Sequence, residues 1–180
     1  MSLVVLIVFD HFYKKMIERF HEYKIHFVQV HFEDLAKFLN SDHEPVKIFF
    51  IMGSRRRILR DGIHPEIDKI LNMQVPVVGI CYGFQYMAMR SGGVLEDGNA
   101  KTQMTNMPGA VGNTHVYMWV NHFDKVKSLP TSVWTIDSVV DGTIYMAHTN
   151  KWVGFQFHPE YKKKQFEEYI LPFVKPLHKG

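Results

Sequence analysis

The only cysteine of this chain, Cys81, stands in the heptapeptide Gly79-Ile80-Cys81-Tyr82-Gly83-Phe84-Gln85, and His158 and Glu160 follow 77 and 79 residues later. A thiol, an imidazole and a carboxylate suffice for nucleophilic catalysis. The sulfur attacks an electrophilic carbon, the imidazole moves the proton, and the carboxylate orients the imidazole. A lone cysteine is ordinarily a small buried hydrophobe, but its setting here is different. Val75 to Ile80 reads as a short buried strand and Phe84 to Met89 as a helix, so Cys81 falls at the turn between them. Gly79 and Gly83 suit a sharp elbow of the kind that exposes a nucleophile. The helix N-terminus beyond it favours negative charge by about 0.3–1 kcal/mol, and therefore favours the thiolate.

The base is sought in Phe157-His158-Pro159-Glu160, directly after the strand-like run Trp152 to Phe157. On an extended stretch, residues two apart point to the same side. His158 could then face Cys81 while Glu160 holds its far nitrogen, with Pro159 stiffening the pair. A His-Pro-Glu tripeptide alone is an ordinary strand exit; combined with the cysteine elbow it is far more specific.

These residues need a frame, and the hydrophobic pattern supplies one. Leu3–Phe9, Ile25–Val30 and Val46–Met52 read as strands, alternating with helices over His11–Tyr23, Phe32–Leu39 and His64–Met73. Beyond Gly92 the pattern changes to short strands at Val116–Val120, Ser132–Ile136, Thr143–Ala147 and Trp152–Phe157, with turn signals Asp97-Gly98, Pro108-Gly109 and Asp141-Gly142. Gln165–Val174 closes as a helix. The expected fold is α/β: a mostly parallel central sheet with helices on both faces, a nucleophile elbow, and a small antiparallel β segment added late. Ligands of such sheets bind at the C-terminal strand ends, where the elbow falls.

Residues 1–180 read as a single domain, and 46% hydrophobic content supports a sizeable core. No apolar run approaches the roughly 20 residues of a membrane span, and Met1 to Phe9 reads as a buried strand rather than a signal peptide. One cysteine excludes an internal disulfide and suits a reducing, cytoplasmic setting. A net charge of +3 is too mild to indicate nucleic acid. Eleven histidines show no ligand pairing with the cysteine, so no metal site is expected. Arg55-Arg56-Arg57 and Lys162-Lys163-Lys164 flank the expected site; they read equally as solvated runs or as a surface for an acidic partner or a phosphate.

Gly79-x-Cys81-x-Gly83-x-Gln85 together with His158-Pro159-Glu160 resembles the class I, or triad, glutamine amidotransferases. Trp119-Val120-Asn121-His122-Phe123-Asp124-Lys125-Val126 and Gly154-Phe155-Gln156-Phe157 are similar to segments of the glutaminase part of GMP synthetases, and the resemblance runs from about Leu3 to Phe173. It implies hydrolysis of L-glutamine to glutamate and ammonia through a γ-glutamyl thioester on Cys81, with His158 as acid and base and Glu160 as its orienting carboxylate. The backbone N–H groups of Gly53 and Tyr82 would form the oxyanion hole. Gln85 would hold the amino acid end of the substrate, with Asn121 and the Phe123 backbone near its α-amino group. Nothing in the chain resembles an ATP-binding loop. The resemblance therefore implies a separate ATP-dependent synthetase subunit that takes the ammonia, with ATP and magnesium on that partner and no cofactor in this chain.

Several positions depart from the family pattern. Met52 stands where a glycine is expected, Ser54 where a proline is, and Phe123 where a glycine is. Loss of the proline loosens the oxyanion turn, and Phe123 reshapes the glutamine pocket. Two other functions fit the same residues: a γ-glutamyl amide or peptide hydrolase that needs no synthetase, and a catalytically silent regulatory subunit of the same fold.

Overall fold

Six consecutive apolar residues, Leu3–Val8, have no polar face to show to water, and they form β1, buried along its whole length. β1 lies between β2 (Phe27–His31) and β3 (Val46–Ile51), parallel to both. β3 pairs in parallel with β4 (Val77–Ile80), and β4 with β9 (Trp152–Phe155). Two antiparallel strands, β8 (Thr143–His148) and β7 (Thr135–Val140), extend the far edge. The resulting seven-stranded sheet has the order β2-β1-β3-β4-β9-β8-β7. The computed structural model describes residues 2–10, 12–108 and 115–175, with side chains 99–121 outside that description.

Successive strand residues point to opposite faces, and each face carries its own apolar cluster. On one, Val5, Ile7, Phe49 and Ile51 meet Ile67, Ile70, Phe84 and Met87 from α4 (Pro65–Asn72) and α5 (Tyr82–Arg90). On the other, Val4, Leu6 and Phe50 meet Met16 and Phe20 of α1 (Lys14–Glu22) and Phe166 of α6 (Lys163–Tyr169). The expected two-faced α/β fold is therefore present. Two short helices, α2 (Leu35–Leu39) and α3 (Ile58–Asp61), occupy crossovers, and α7 (Leu171–Val174) ends the chain's described part.

Several local expectations are corrected. The terminal helix is broken into α6 and α7 at Ile170, with Pro172 in the first turn of the second, where its missing N–H costs nothing. Asp97-Gly98 is no inter-strand turn. It lies at an irregularity inside a long hairpin formed by β5 (Val94–Pro108) and β6 (His115–Ser128). The third turn signal holds, since Asp141 and Gly142 both take positive φ between β7 and β8. His11 and Gly109 lie outside the described residues.

Candidate active site

β4 ends at Ile80, α5 begins at Tyr82, and the whole reversal falls on Cys81, whose φ is +52° and ψ −102°. A non-glycine residue held there is strained, and such strain persists only where the surroundings over-determine it. Those surroundings are visible. The Cys81 N–H donates to Phe155 O at 2.6 Å, and its carbonyl accepts from Gln85 N at 3.0 Å. The flanking glycines act through clearance, because neither takes positive φ. A Cβ on Gly83 would lie 2.1 Å from Ile51 O, and one on Gly79 would lie 2.6 Å from Met87 Sδ. Gly154 likewise leaves room for Phe84, whose Cδ2 would stand 1.9 Å from an added Cβ. Three missing side chains let α5 sit hard against β3, β4 and β9.

β4 and β9 are adjacent and parallel, so the residues after β9 arrive beside the elbow. His158 and Glu160 do so in a different conformation from the expected extended one. The strand stops at Phe155, and Pro159-Glu160 form a turn. The turn brings the carboxylate back to the ring, with His158 Nδ1 2.8 Å from Glu160 Oε1 and both side chains fully buried. Arg19 of α1 pins this turn, donating from Nε to Glu160 O and from Nη2 to Tyr161 O, each at 3.1 Å. Burial is the largest influence on the ring and opposes its charge. The Glu160 carboxylate and Cys81 together outweigh it and hold the imidazole well above its ordinary value. With Nδ1 engaged by Glu160, Nε2 is the nitrogen left for Cys81.

A raised imidazole value carries a stability signature. The charged ring's contribution is complete below the ordinary value of 6.5 and is lost as pH climbs toward about 10. Urea unfolding should therefore show the stability advantage of the unaltered chain over His158→Gln shrinking across that window. A constant difference would remove the ion-pair description.

Gly53 follows β3 and reaches the same place. A Cβ there would lie 3.0 Å from His158 Cε1, 3.1 Å from Phe12 Cβ and 3.7 Å from Cys81 Cβ. Tyr82 opens α5, where first-turn N–H groups lack intrahelical acceptors. The loop after Gly53 is not slack despite the missing proline. Ser54 Oγ donates to Asp10 Oδ2 at 3.2 Å and accepts from Arg56 N at 3.0 Å, while Arg55 N donates to Asp10 at 2.8 Å. Side-chain hydrogen bonds supply the rigidity the proline would have given.

Gln85 and Phe123 line the cavity beside Cys81, together with Ser54, Arg57, His122 and Asp124. Asn121 lies in β6, and its side chain is outside the described residues. The cavity is small, about 30 Å³. Arg57 forms part of its wall. The guanidinium donates from Nε to Asp124 Oδ1 at 3.0 Å, bonds Asp97 as well, and lies 5.4 Å from the Phe123 ring centre. The run Arg55-Arg56-Arg57 is thus not simply a solvated face, since Arg57 is bound internally and Arg56 sits 4.3 Å from the Phe32 ring centre. Asp124 is buried whereas the Asp97 side chain is 70% exposed. Because a charge stranded in the interior is costly and an exposed ion pair adds little, Arg57→Met should lower thermal stability well beyond Asp97→Ala. Equal shifts in calorimetry would contradict this weighting.

Asp10, Gln156 and the Arg57–Asp124 pair are site features the sequence motifs do not assign. The first polar residue after the all-apolar β1, two positions past its end, is the signal that could have flagged Asp10, since sheet ligands collect at such strand ends. Among the described residues no three His, Cys, Asp or Glu side chains converge so as to hold a metal ion, and no helix is long and apolar enough to cross a membrane.

The site thus joins a strained cysteine elbow, at the C-terminal end of a central strand of an α/β sheet, to a buried His–Glu pair. The family model for class I glutamine amidotransferases matches residues 7–175, and the chain belongs to that family. GMP synthase [glutamine-hydrolyzing] of Thermosipho africanus is 28% identical over 182 residues, covering 95% of this chain and 35% of that protein. The Edwardsiella ictaluri GMP synthase is 36% identical over 112 residues, 52% of this chain and 21% of that protein. The chain thus spans about a fifth to a third of the length of these relatives. Among solved structures, a glutamine amidotransferase from Thermotoga maritima superposes with a TM-score of 0.70 at 18% identity, covering 96% of this chain and 82% of that one. A GMP synthase subunit from Thermoplasma acidophilum gives 0.69 at 18% identity, covering 89% of this chain and 85% of that one. At that identity the structures speak for the fold alone.

Proposed function

We propose that this chain is a glutaminase that splits L-glutamine and supplies the ammonia to an ATP-dependent synthetase lying outside these residues, with GMP synthesis as the use. The observation that carries the proposal is the buried His158–Glu160 pair beside strained Cys81, in a member of the glutamine amidotransferase family. The Cys81 thiolate attacks the side-chain carboxamide carbon, and the carbonyl oxygen takes up negative charge between the backbone N–H groups of Gly53 and Tyr82. Each such donor is worth roughly 3 kcal/mol in comparable sites. The His158 imidazolium gives its Nε2 proton to the departing nitrogen, which leaves as ammonia, and a γ-glutamyl thioester remains. Neutral Nε2 then takes a proton from water, whose oxygen attacks the thioester. Glutamate leaves, the thiolate returns, and the imidazolium is restored. Glu160 holds the ring in one tautomer throughout.

Gln85 and the Phe123 backbone would hold the amino acid end of glutamine, with Asn121 beside them. The cavity beside Cys81 is narrow and Arg57 forms part of its wall, so full seating of that substrate would come with movement of the Arg57 loop or of the β5–β6 hairpin. A site that opens only when another surface draws that loop away has low resting turnover. The relatives' name, GMP synthase, motivates the choice of partner. Glutamate release should rise at least about tenfold when a GMP synthetase ATP-binding subunit, xanthosine monophosphate, ATP and magnesium are added, and the two chains should co-elute. Unstimulated release with no co-elution would sink the partner; release from other γ-glutamyl amides in preference to glutamine would redirect the substrate.

A further inference from the structure

Gln156 follows β9 into the interior and is fully buried. Its Nε2 lies 3.7 Å from Cys81 Sγ, and its Oε1 lies 3.3 Å from Gln85 Nε2. That same Gln85 nitrogen lies 2.6 Å from the main-chain oxygen of Asp124. A carbonyl oxygen only accepts, so Gln85 turns its NH₂ group toward Asp124. The second N–H of that group points at Gln156, which meets it with oxygen. Gln156 is left with its own NH₂ toward the sulfur. One fixed acceptor thus dictates the sense of both amides, which density alone does not distinguish in structures generally.

We infer that Gln156 is a positioning residue for the nucleophile: its amide donates to the Cys81 sulfur, and Gln85 sets the direction of that donor. Hydrogen bonds to an anion are about twice as strong as those to a neutral group, so the donor favours the attacking thiolate over the thiol. The amide also restrains the sulfur from the interior, since the Gln156 side chain is fully buried and its backbone N–H donates to Tyr145 O at 2.9 Å. The pair further ties the pocket wall to the nucleophile. Asp124, held by Arg57 on one side, presents to Gln85 the oxygen that orients the whole chain of donors. The inference rests on Cys81 being the nucleophile of the proposed reaction.

The test is alkylation of Cys81 by iodoacetamide in the full chain, read by mass spectrometry across the pH range. In Gln156→Leu the rate at neutral pH should fall about tenfold, while the limiting rate at high pH, where all sulfur is thiolate, stays unchanged. Gln156→Glu should fall further, because a carboxylate then faces the sulfur. Loosened packing would instead change the rate at every pH alike. If circular dichroism shows that the Gln156 variants do not fold, Gln85→Leu serves: it frees the Gln156 amide to rotate and should shift the profile in the same direction by less. Profiles of folded variants that overlay the unaltered one overturn the inference. A Cys81 inert at every pH in the unaltered chain overturns it together with the nucleophile, and the two failures are distinguishable.

Discussion

Glu160→Gln should leave the chain folded and lower glutamate release by about 10⁴-fold, the loss seen when a triad carboxylate is replaced by its amide. The substitution keeps shape and volume, so packing around the buried turn is retained. What changes is the direction of one hydrogen bond. Glu160 Oε1 accepts from His158 Nδ1 at 2.8 Å. An amide can present N–H there instead, which stabilises the ring with its proton on Nε2, the atom that has to accept one. The charged ring also loses the carboxylate that holds it above its ordinary value. Glu160→Asp, which keeps the charge and loses reach, should retain more activity than Glu160→Gln. Circular dichroism and steady-state kinetics on the three proteins decide the matter. A Glu160→Gln enzyme within tenfold of the unaltered rate would remove the carboxylate from the mechanism.

Gly83→Ala should destabilise the chain by about 3 kcal/mol or more, the scale of overpacking in a rigid core. Helix propensity alone predicts the opposite sign, because alanine is better than glycine inside α5 by about 1 kcal/mol. Space decides. The added Cβ would stand 2.1 Å from Ile51 O and 2.9 Å from Ile51 Cβ. β3 cannot move aside, since it is bonded to β1 on one edge and β4 on the other. Gly62 is the control: its φ is +80° but nothing lies within 4 Å of an added Cβ. Its ψ of −160° places it in a region essentially reserved for glycine, so Gly62→Ala should cost about 1–3 kcal/mol from the backbone alone, with no clash. Urea unfolding in which Gly83→Ala costs less than about 1 kcal/mol would show that α5 does not press on β3 as described.

The parts of this site that can be read from the sequence are those encoded locally. β1 is legible because six apolar residues in a row admit one environment, and the elbow because glycines two residues either side of Cys81 have few other uses. The close approach of α5 was signalled too, though through clearance rather than turning, since the positive φ falls on Cys81 itself. The conformation of His158-Pro159-Glu160 was not legible. The strand-like Trp152-to-Phe157 run continues past the point where β9 ends, because Phe157 is buried in the core beside Phe155 and Tyr169 and Gln156 is buried beside Cys81. Arg57 is the clearest case of information absent from the local pattern. Its partners lie 40 and 67 residues away, so a run of three arginines reads as a solvated surface until the hairpin is folded against it. The helix α3 was hidden for the same reason, being one short turn between that run and Gly62.

The most direct measurement is release of glutamate and ammonia from L-glutamine by the full chain, beside Cys81→Ala, each with and without the synthetase and its nucleotides. Cysteine-based glutamine hydrolysis predicts slow, equimolar release of glutamate and ammonia from the unaltered chain alone, faster glutamate release with the synthetase and its nucleotides, where the nitrogen passes into the aminated product, and none above background from Cys81→Ala under either condition. Equal release by the two proteins, or no release by the unaltered chain even in the complete mixture, would contradict it.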